Sequence, residues 1–336
     1  MPLIGDRFLN LIDVMKRTED GKQIATVIEL LSQTNSILED YWAVECNMGA
    51  IHRHSVRTGL PSVAWGRLYQ GTPQSKSTTQ QVDDTTGFLE ALSTIDTRLL
   101  DLSPGKEGAI RLSESLAFYE ALNQEMATGM FYHDTTTTPE RFKGLAARYN
   151  TVNTAAAPIA SQVIDAGGVG SNNTSVWFVT WGDNYTHGLY PAGTKAGVDR
   201  KDMGVQRVLD GSGNPYYVKE ERYTWHLGIA VKDWRYNARI ANIDVTNLQA
   251  GSVQLYNFMR RAYYRLQSRR VMGGRQAIYC NRDVLEALDR LSTNSGSTDN
   301  FTRLKWGEIE GKEVLTYRGI PIRETDAILN TEARVV

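Results

Sequence analysis

The chain has 336 residues, 41% hydrophobic and 22% charged, with a formal net charge of -1. That length exceeds one typical domain and permits a large core, which excludes wholesale disorder, and the balanced charge excludes a general nucleic-acid binder, whose affinity rests on neutralising phosphates with lysine and arginine. Cys46 and Cys280 lie too far apart in sequence to suggest a disulfide framework or a CxxC metal site, no apolar run would span a bilayer, and Met1 to Arg17 lacks the pattern of a signal peptide, so folding in a reducing cytoplasm is expected.

Residues 1–50 read as an arm of short helices. Phe8, Leu9, Ile12 and Met15 have helical spacing, and Ile24, Val27, Ile28, Leu31 and Leu38 repeat it after Asp20-Gly21. From Ala50 to Val82 the texture changes to basic residues among glycines and prolines, with a polar tip from Gln74 to Gln81. This predicts a long two-stranded excursion that binds something, most simply another subunit. Phe88, Leu92, Ile95 and Leu99 have helical spacing while Ser93, Thr94, Ile95 and Thr97 favour a strand, so this segment fits either.

Pro104 to Tyr132 carries the longest helical pattern. Leu112, Leu116, Tyr119, Leu122, Met126 and Met130 recur at steps of three and four, predicting one apolar stripe on a spine helix that begins at Ser103-Pro104 and ends before Pro139. Arg141 to Tyr149 is turn-like. Val176, Phe178 and Thr180 alternate with Trp177, Val179 and Trp181, predicting a strand buried on both faces or at an interface. Val205 to Val218 reads as a hairpin around Asp210 to Asn214, and Tyr223 to Ile243 as further strands. Leu255 to Leu266 returns to helix, with Arg261, Arg265 and Arg269 at steps of four, where like charges repel unless acidic partners compensate. A strand at Gln276 to Cys280 is followed by Asn281 as the cap of a helix carrying Val284, Leu285, Leu288 and Leu291. Lys312 to Leu329 is strand-like with a kink at Gly319 to Pro321.

Several segments, in order and spacing, resemble the major capsid proteins of tailed double-stranded DNA bacteriophages, especially the epsilon15-like group. They are the helix ending in Met130-Phe131-Tyr132, the run Pro139-Glu140-Arg141-Phe142-Lys143-Gly144-Leu145, and Trp181-Gly182-Asp183 with His187 to Pro191 and Ala196-Gly197. Trp225-His226-Leu227-Gly228 with Asn242-Ile243-Asp244, and Tyr317 to Ile322, complete the set. Where the resemblance expects glycine after the Phe-Tyr pair, this chain has His133. The resemblance implies an α+β chain with the Hong Kong 97-type capsid fold: an N-terminal arm (1–50), an extended loop (51–85), a peripheral domain with the spine helix (86–132 and 312–336) and an axial domain (133–311). It further implies a structural protein of the virion, made in the bacterial cytoplasm, without catalysis, cofactor, metal or membrane. Its expected partners are its own copies in hexamers and pentamers, scaffolding, portal and decoration or cement proteins, and packaged DNA held without sequence-specific binding.

Within that frame Arg53, Arg57 and Arg67 on the extended loop are expected to face Glu114, Glu120 and Glu125 on a neighbour's spine helix. Arg261, Arg265 and Arg269, within a cluster that includes Arg260, Arg270 and Arg275, are expected to pair between subunits rather than grip DNA, which must be packed and ejected. His52 and His54 share a strand face but lack a third ligand at metal spacing, so they read as solvated loop histidines. The glycines at 167, 168 and 170 lack the lysine and hydroxyl of a phosphate loop, and Asp210 to Asn214 lacks the closing glutamate of a calcium loop. Two other classes fit more loosely: a β-rich carbohydrate-active enzyme, suggested by Trp177, Trp181, Tyr185, Tyr190 and Trp225, and a cellular encapsulin-like shell.

Overall fold

The computed structural model describes residues 31–102, 105–269, 271–293, 304–309 and 312–336, with the backbone at 18–19 and 23–24. Thr18–Glu19 (β1) pairs antiparallel with Gln23–Ile24 (β2), so Ile24 lies in a strand and not in the second arm helix that its spacing predicted. The first arm helix, Phe8 to Met15, falls outside the described residues, as do Val27 and Ile28. Leu38 sits in a single helical turn, Ile37–Asp40 (α1), which Ala43–Glu45 (β3) follows.

Ile51–Gly59 (β4) and Thr78–Asp96 (β5) pair antiparallel from Ile51↔Thr85 outward to Gly59↔Thr78, giving the two-stranded excursion. β5 then continues inward and pairs with Pro215–Val231 (β10), from Thr86↔Gly228 to Asp96↔Val218. The stretch that fitted helix or strand is therefore a strand: β-branched and hydroxyl residues suit a pleated surface, and apolar side chains on both of its faces imitate helical spacing. Leu89 and Ala91 pack on the core, whereas Phe88 and Leu92 remain exposed. Asp96 closes the strand by accepting from the Arg98 amide at 2.9 Å, which caps the short helix Thr97–Asp101 (α2).

The spine helix is Glu107–Tyr132 (α3), 26 residues and about 39 Å at 1.5 Å per residue. Its stripe differs from the expected one. Leu122, Met126 and Met130 are buried as the spacing requires, but Leu112 is 57% exposed and Leu116 60% exposed. In the amino-terminal half Tyr119 faces inward as its spacing predicts, and Ile110, Ser115 and Phe118 pack in place of the two leucines, with Phe118 stacked on Tyr223 of β10 at 5.5 Å and Tyr119 edge-on to the same ring at 5.4 Å. At the other end, the last helical carbonyls receive new donors from the RFKGLAARY run. Gly144 donates its amide to His133 O at 2.8 Å, Leu145 to Met130 O at 2.9 Å and Ala146 to Phe131 O at 2.7 Å. A Cβ on Gly144 would sit 2.7 Å from Gly129 O, so this close approach requires glycine. His133 itself is extended at φ -60°, and the turn needs no glycine there.

Asn173–Trp181 (β7) lies between Ala238–Asp244 (β11) and Arg275–Cys280 (β12), antiparallel to both, and every one of its residues is buried. Of the two readings left open for it, the strand buried on both faces is correct. Trp177, Val179 and Trp181 join the cluster beneath α3, while Val176 and Phe178 join the cluster beneath Leu255–Arg265 (α5) and Arg282–Thr293 (α6). Period-two alternation thus serves two layers of helix. Val163–Asp165 (β6) extends β11 in parallel, and Thr186–Tyr190 (β8) pairs with both β3 and β10. Gly197–Leu209 (β9) pairs with β10 around the Asp210 to Asn214 tip, so β5, β10 and β9 form one surface against the spine helix.

Val245–Gln249 (α4) starts at Asp244, whose carboxylate accepts from the Asn247 amide at 2.8 Å. Asn281 caps α6 as expected, accepting from the Val284 amide at 3.0 Å, and its amide group also donates to Thr174 Oγ1 at 3.0 Å. Asn281→Ala is expected to lower stability by about 1–2 kcal/mol, measured as the urea midpoint of the unassembled full-length chain at unchanged slope. Lys305–Ile309 (β13), Lys312–Tyr317 (β14) and Ile320–Glu324 (β15) complete the sheet edge. The predicted Gly319 kink is a full reversal. Arg318 at φ 52° and Gly319 at φ 84° form a two-residue hairpin turn with Tyr317↔Ile320 pairing.

Candidate intersubunit surfaces

The excursion ends in a loop, residues 60–77, whose apolar side chains none of the described residues covers. Leu60, Val63, Trp65, Leu68 and Tyr69 are each more than 80% exposed, Trp65 at 98%. Little holds the loop from within: Ser75 donates its hydroxyl to Ser62 O at 2.8 Å and Gln70 its amide to Arg67 O at 3.3 Å. Two further exposed apolar pairs lie on the body, on opposite sides of the α3 and β5–β10 layer: Leu112 and Leu116 on the outer side of α3, and Phe88 and Leu92 on the face of β5 turned away from it. Large apolar side chains exposed in groups mark interaction surfaces. In sequence the basic and polar residues of this excursion mask these five, because no periodicity marks them; the signal is their apolar character in a glycine-rich, proline-rich stretch.

The charged candidates divide. Arg53 is spent on its own hairpin, with Nε and Nη2 donating to the Asp83 carboxylate at 2.7 Å each, while Arg57 and Arg67 are exposed. On the spine, Glu120 accepts from the Gln33 amide at 2.9 Å and Gln124 at 2.7 Å. Glu125 meets His133 at 3.2 Å and Arg141 at 3.3 Å, and Glu114 is half-buried. Arg265 turns inward, its Nη1 donating to the carbonyls of Ser161 and Val163, the latter at 2.8 Å. Backbone oxygens, not an acidic partner among the described residues, take its charge, and burial, with the neighbouring Arg261 charge adding to it, lowers its pKa. Arg261 is exposed, and Arg269 lies over the Tyr264 ring at 4.9 Å.

Buried charges bind the layers together and were not foreseen. Glu221 of β10 accepts from Arg200 at 2.8 and 2.9 Å and from Tyr223 at 2.6 Å, and it pairs with Arg111 of the spine helix. Burial opposes its ionisation, but the hydrogen bonds from Arg200 and Tyr223 and the Arg111 charge outweigh that and hold the carboxyl below its ordinary range. Glu332, near the end of the chain, accepts from Arg239 at 2.9 Å, Ser175 at 2.6 Å and Tyr132 at 2.5 Å. Asp40 accepts from Tyr279 at 2.9 Å and Arg323 at 3.2 Å. Residues so far apart in sequence give no local signal.

His52 and His54 are not solvated. His187 of β8 packs edge-on to His52 with ring centroids 5.3 Å apart, and His54 lies 6.4 Å from His52. This is the third imidazole that local spacing had not supplied, yet no group of three histidine, cysteine or acidic side chains among the described residues has metal-holding geometry. The Asp210 carboxylate accepts from the Ser212 and Asn214 amides at 2.9 and 2.8 Å, which makes it the lock of a hairpin tip. The aromatic platform that suggested a carbohydrate enzyme is absent: Trp177, Trp181 and Trp225 are core residues, with Trp181 Nε1 donating to Tyr279 Oη at 2.8 Å. No helix among the described residues is long and apolar enough to cross a membrane.

Comparison with known proteins identifies the fold and the family. A chain from the solved structure of bacteriophage epsilon15 superposes with a TM-score of 0.79 at 32% identity, covering 100% of this chain and 99% of that one. The capsid of bacteriophage JBD30 gives 0.49 at 10% identity, covering 89% and 92%, and the capsid of a native GTA particle 0.47 at 12%, covering 67% and 95%. No curated protein matches. The family model described as major capsid protein GP7 matches residues 18–336. With nearly its whole length accounted for, and the Hong Kong 97-type fold shared with epsilon15, this chain belongs to the GP7 family of major capsid proteins, structural proteins of the phage virion.

Proposed function

We propose that the chain assembles with its own copies into hexamers and pentamers of an icosahedral head that encloses double-stranded DNA. The observation that carries this reading is the loop at 60–77, which presents five large apolar side chains on a two-stranded arm that its own fold leaves uncovered. Such surface is stabilised only when another subunit buries it, at about 25 cal/mol per Å² of apolar area, and identical copies offer the simplest complementary patches. The exposed Leu112 and Leu116 on the outer side of α3 lie on the part of the subunit we assign to the peripheral domain, and a neighbour's loop would rest there, leaving Phe88 and Leu92 on the opposite face of β5 for a separate contact. Arg57 and Arg67 would border these contacts and Arg261 and Arg269 would serve another contact on the opposite helix layer, whereas Arg53 and Arg265 serve their own subunit.

In domain terms, residues 1–50 would be the arm, 51–85 the extended loop, 86–132 with 312–336 the peripheral domain and 133–311, apart from the β9–β10 hairpin, the axial domain. We count the β9–β10 hairpin with the peripheral layer, because it packs on the spine helix through Tyr223 and Glu221. Scaffolding, portal and decoration or cement proteins would complete the particle. With a net charge of -1, the shell would hold DNA by enclosure, without sequence-specific contact.

Replacing residues 60–77 with a two-residue Asn-Gly turn tests the reading. β4 and β5 already meet at Gly59↔Thr78, so the subunit is expected to fold with unchanged stability. Electron microscopy, with any scaffolding partner supplied, should then show no closed shells where the parent chain gives them. Normal shells from the shortened chain would sink the proposal.

A further inference from the structure

Three of the chain's five histidines meet at the root of the β4–β5 excursion. His52 and His54 project from one face of β4, and His187 reaches them from β8, where it is fully buried. Among the described residues, Nδ1 of His52 and both ring nitrogens of His54 and of His187 have no hydrogen-bond partner. Buried polar atoms are ordinarily satisfied, and five orphans in one place need a reason.

The charges around the rings are balanced only while the rings are neutral. From β5, Asp84 lies 3.8 Å from His54 and binds Arg148 at 2.6 Å, and Asp83 binds Arg53 at 2.7 Å. Beyond the end of β10, Lys232 binds Asp183 at 3.1 Å. Each carboxylate is matched by one cation, so any proton on a ring adds positive charge with no counter-ion, close to Lys232 and Arg148. The place is also a joint. Arg148 ties β5 to β10 by donating to Asp84 and to Ile229 O at 2.8 Å, and Ala50 O receives the Thr86 amide at 3.1 Å.

We propose that His52, His54 and His187 form a proton-operated latch that holds the root of the excursion closed while the rings are neutral and releases it when they become charged. Burial lowers the pKa of all three rings, Lys232 lowers it further, and Asp84 and Asp183 only partly offset this; His187 falls to about 4. The sign follows. A released imidazole takes up its proton near pH 6.5 and a packed one only at lower pH, so opening binds protons. The closed root is therefore fully stabilised above about pH 6.5 and loses that stabilisation as pH falls toward 4. The rings and their neighbours all belong to one chain, so the latch does not depend on what the excursion touches in a shell.

Hydrogen–deuterium exchange of the full-length chain, corrected for the intrinsic pH dependence of exchange, tests this between about pH 7.5 and 4.5. Amides 51–56 and 81–87 are expected to lose at least tenfold in protection as the pH falls, while those of β7 and of residues 122–132 keep theirs. The triple variant His52→Gln, His54→Gln, His187→Gln should hold its root protection constant over the same range. Should that variant not fold, His54→Gln alone should make the loss shallower. A wild-type root that stays protected in acid, or a variant that opens at the same pH, would overturn the latch. So would opening by EDTA at pH 7.5, which would show that a bound cation and not neutral rings holds the joint.

Discussion

Glu332→Ala is expected to destabilise the subunit by about 3–5 kcal/mol, the range for breaking a buried pair by removing one partner. Both ends of the Arg239–Glu332 pair are 4% exposed, and the Arg239 guanidinium also donates to Tyr149 O at 2.9 Å and stacks over the Trp177 ring at 4.8 Å. Removing the carboxylate strands that charge in the core and leaves the hydroxyls of Ser175 and Tyr132 without their acceptor. The urea midpoint of the unassembled chain is the measurement, and its slope should stay constant. Replacing both partners together, Arg239→Met with Glu332→Leu, should recover most of the loss, because the cost lies in the unpaired charge. A loss below about 1 kcal/mol in the single variant would mean that the pair is incidental to stability.

Trp177→Ala and Trp65→Ala should separate folding from assembly. Trp177 is fully buried, packed against Phe131 and Tyr149 at ring distances of 6.1 and 5.9 Å, so its truncation should cost about 3–5 kcal/mol of subunit stability through the cavity it leaves. Trp65 is almost wholly exposed, and its truncation should leave subunit stability within about 0.5 kcal/mol. Its loss should appear only in assembly, where a buried aromatic anchor contributes 2 kcal/mol or more, on the order of a thirtyfold rise in the subunit concentration needed for shells. Equal effects of the two variants on the urea midpoint would contradict the division of the molecule into core and contact surface.

What the sequence disclosed depended on how local the physics was. The C-terminal half of the spine helix, the two-sided strand at Ser175 to Trp181, the hairpin at Asp210 and the Asn281 cap each rest on neighbours within a few residues, and each stands in the fold. Where partners were distant, the reading failed. Leu112 and Leu116 have correct helical spacing, but only the position of β9 and β10 decides that Ser115 and Phe118 face inward instead. Arg265 sits in an arginine stripe that looked like a surface, and only the path of residues 161–163 shows its guanidinium turned to backbone carbonyls. His52 and His54 looked solvated because His187, which buries them, arrives from a separate strand. The apolar side chains of the 60–77 loop belong to a third category: no intrachain pattern marks them, as the proposed partner on another molecule would require.

β5 passes without a break from the excursion into the body, and that continuity gives the subunit a lever. Its 19 residues span about 63 Å at 3.3 Å per residue. Roughly 23 Å of that lies between Thr85 at the root and Thr78 at the far end. A rotation of 10° at the root would carry the far end through about 4 Å, enough to shift a side chain from one contact to the next. In the other direction, a pull on the loop acts as torque on the β10 ladder and on the Arg111 and Ser115 contacts of the spine helix. In the rings proposed above, each loop would thus be geared to its own helix, and displacement of one member would be felt by the next without any of them unfolding.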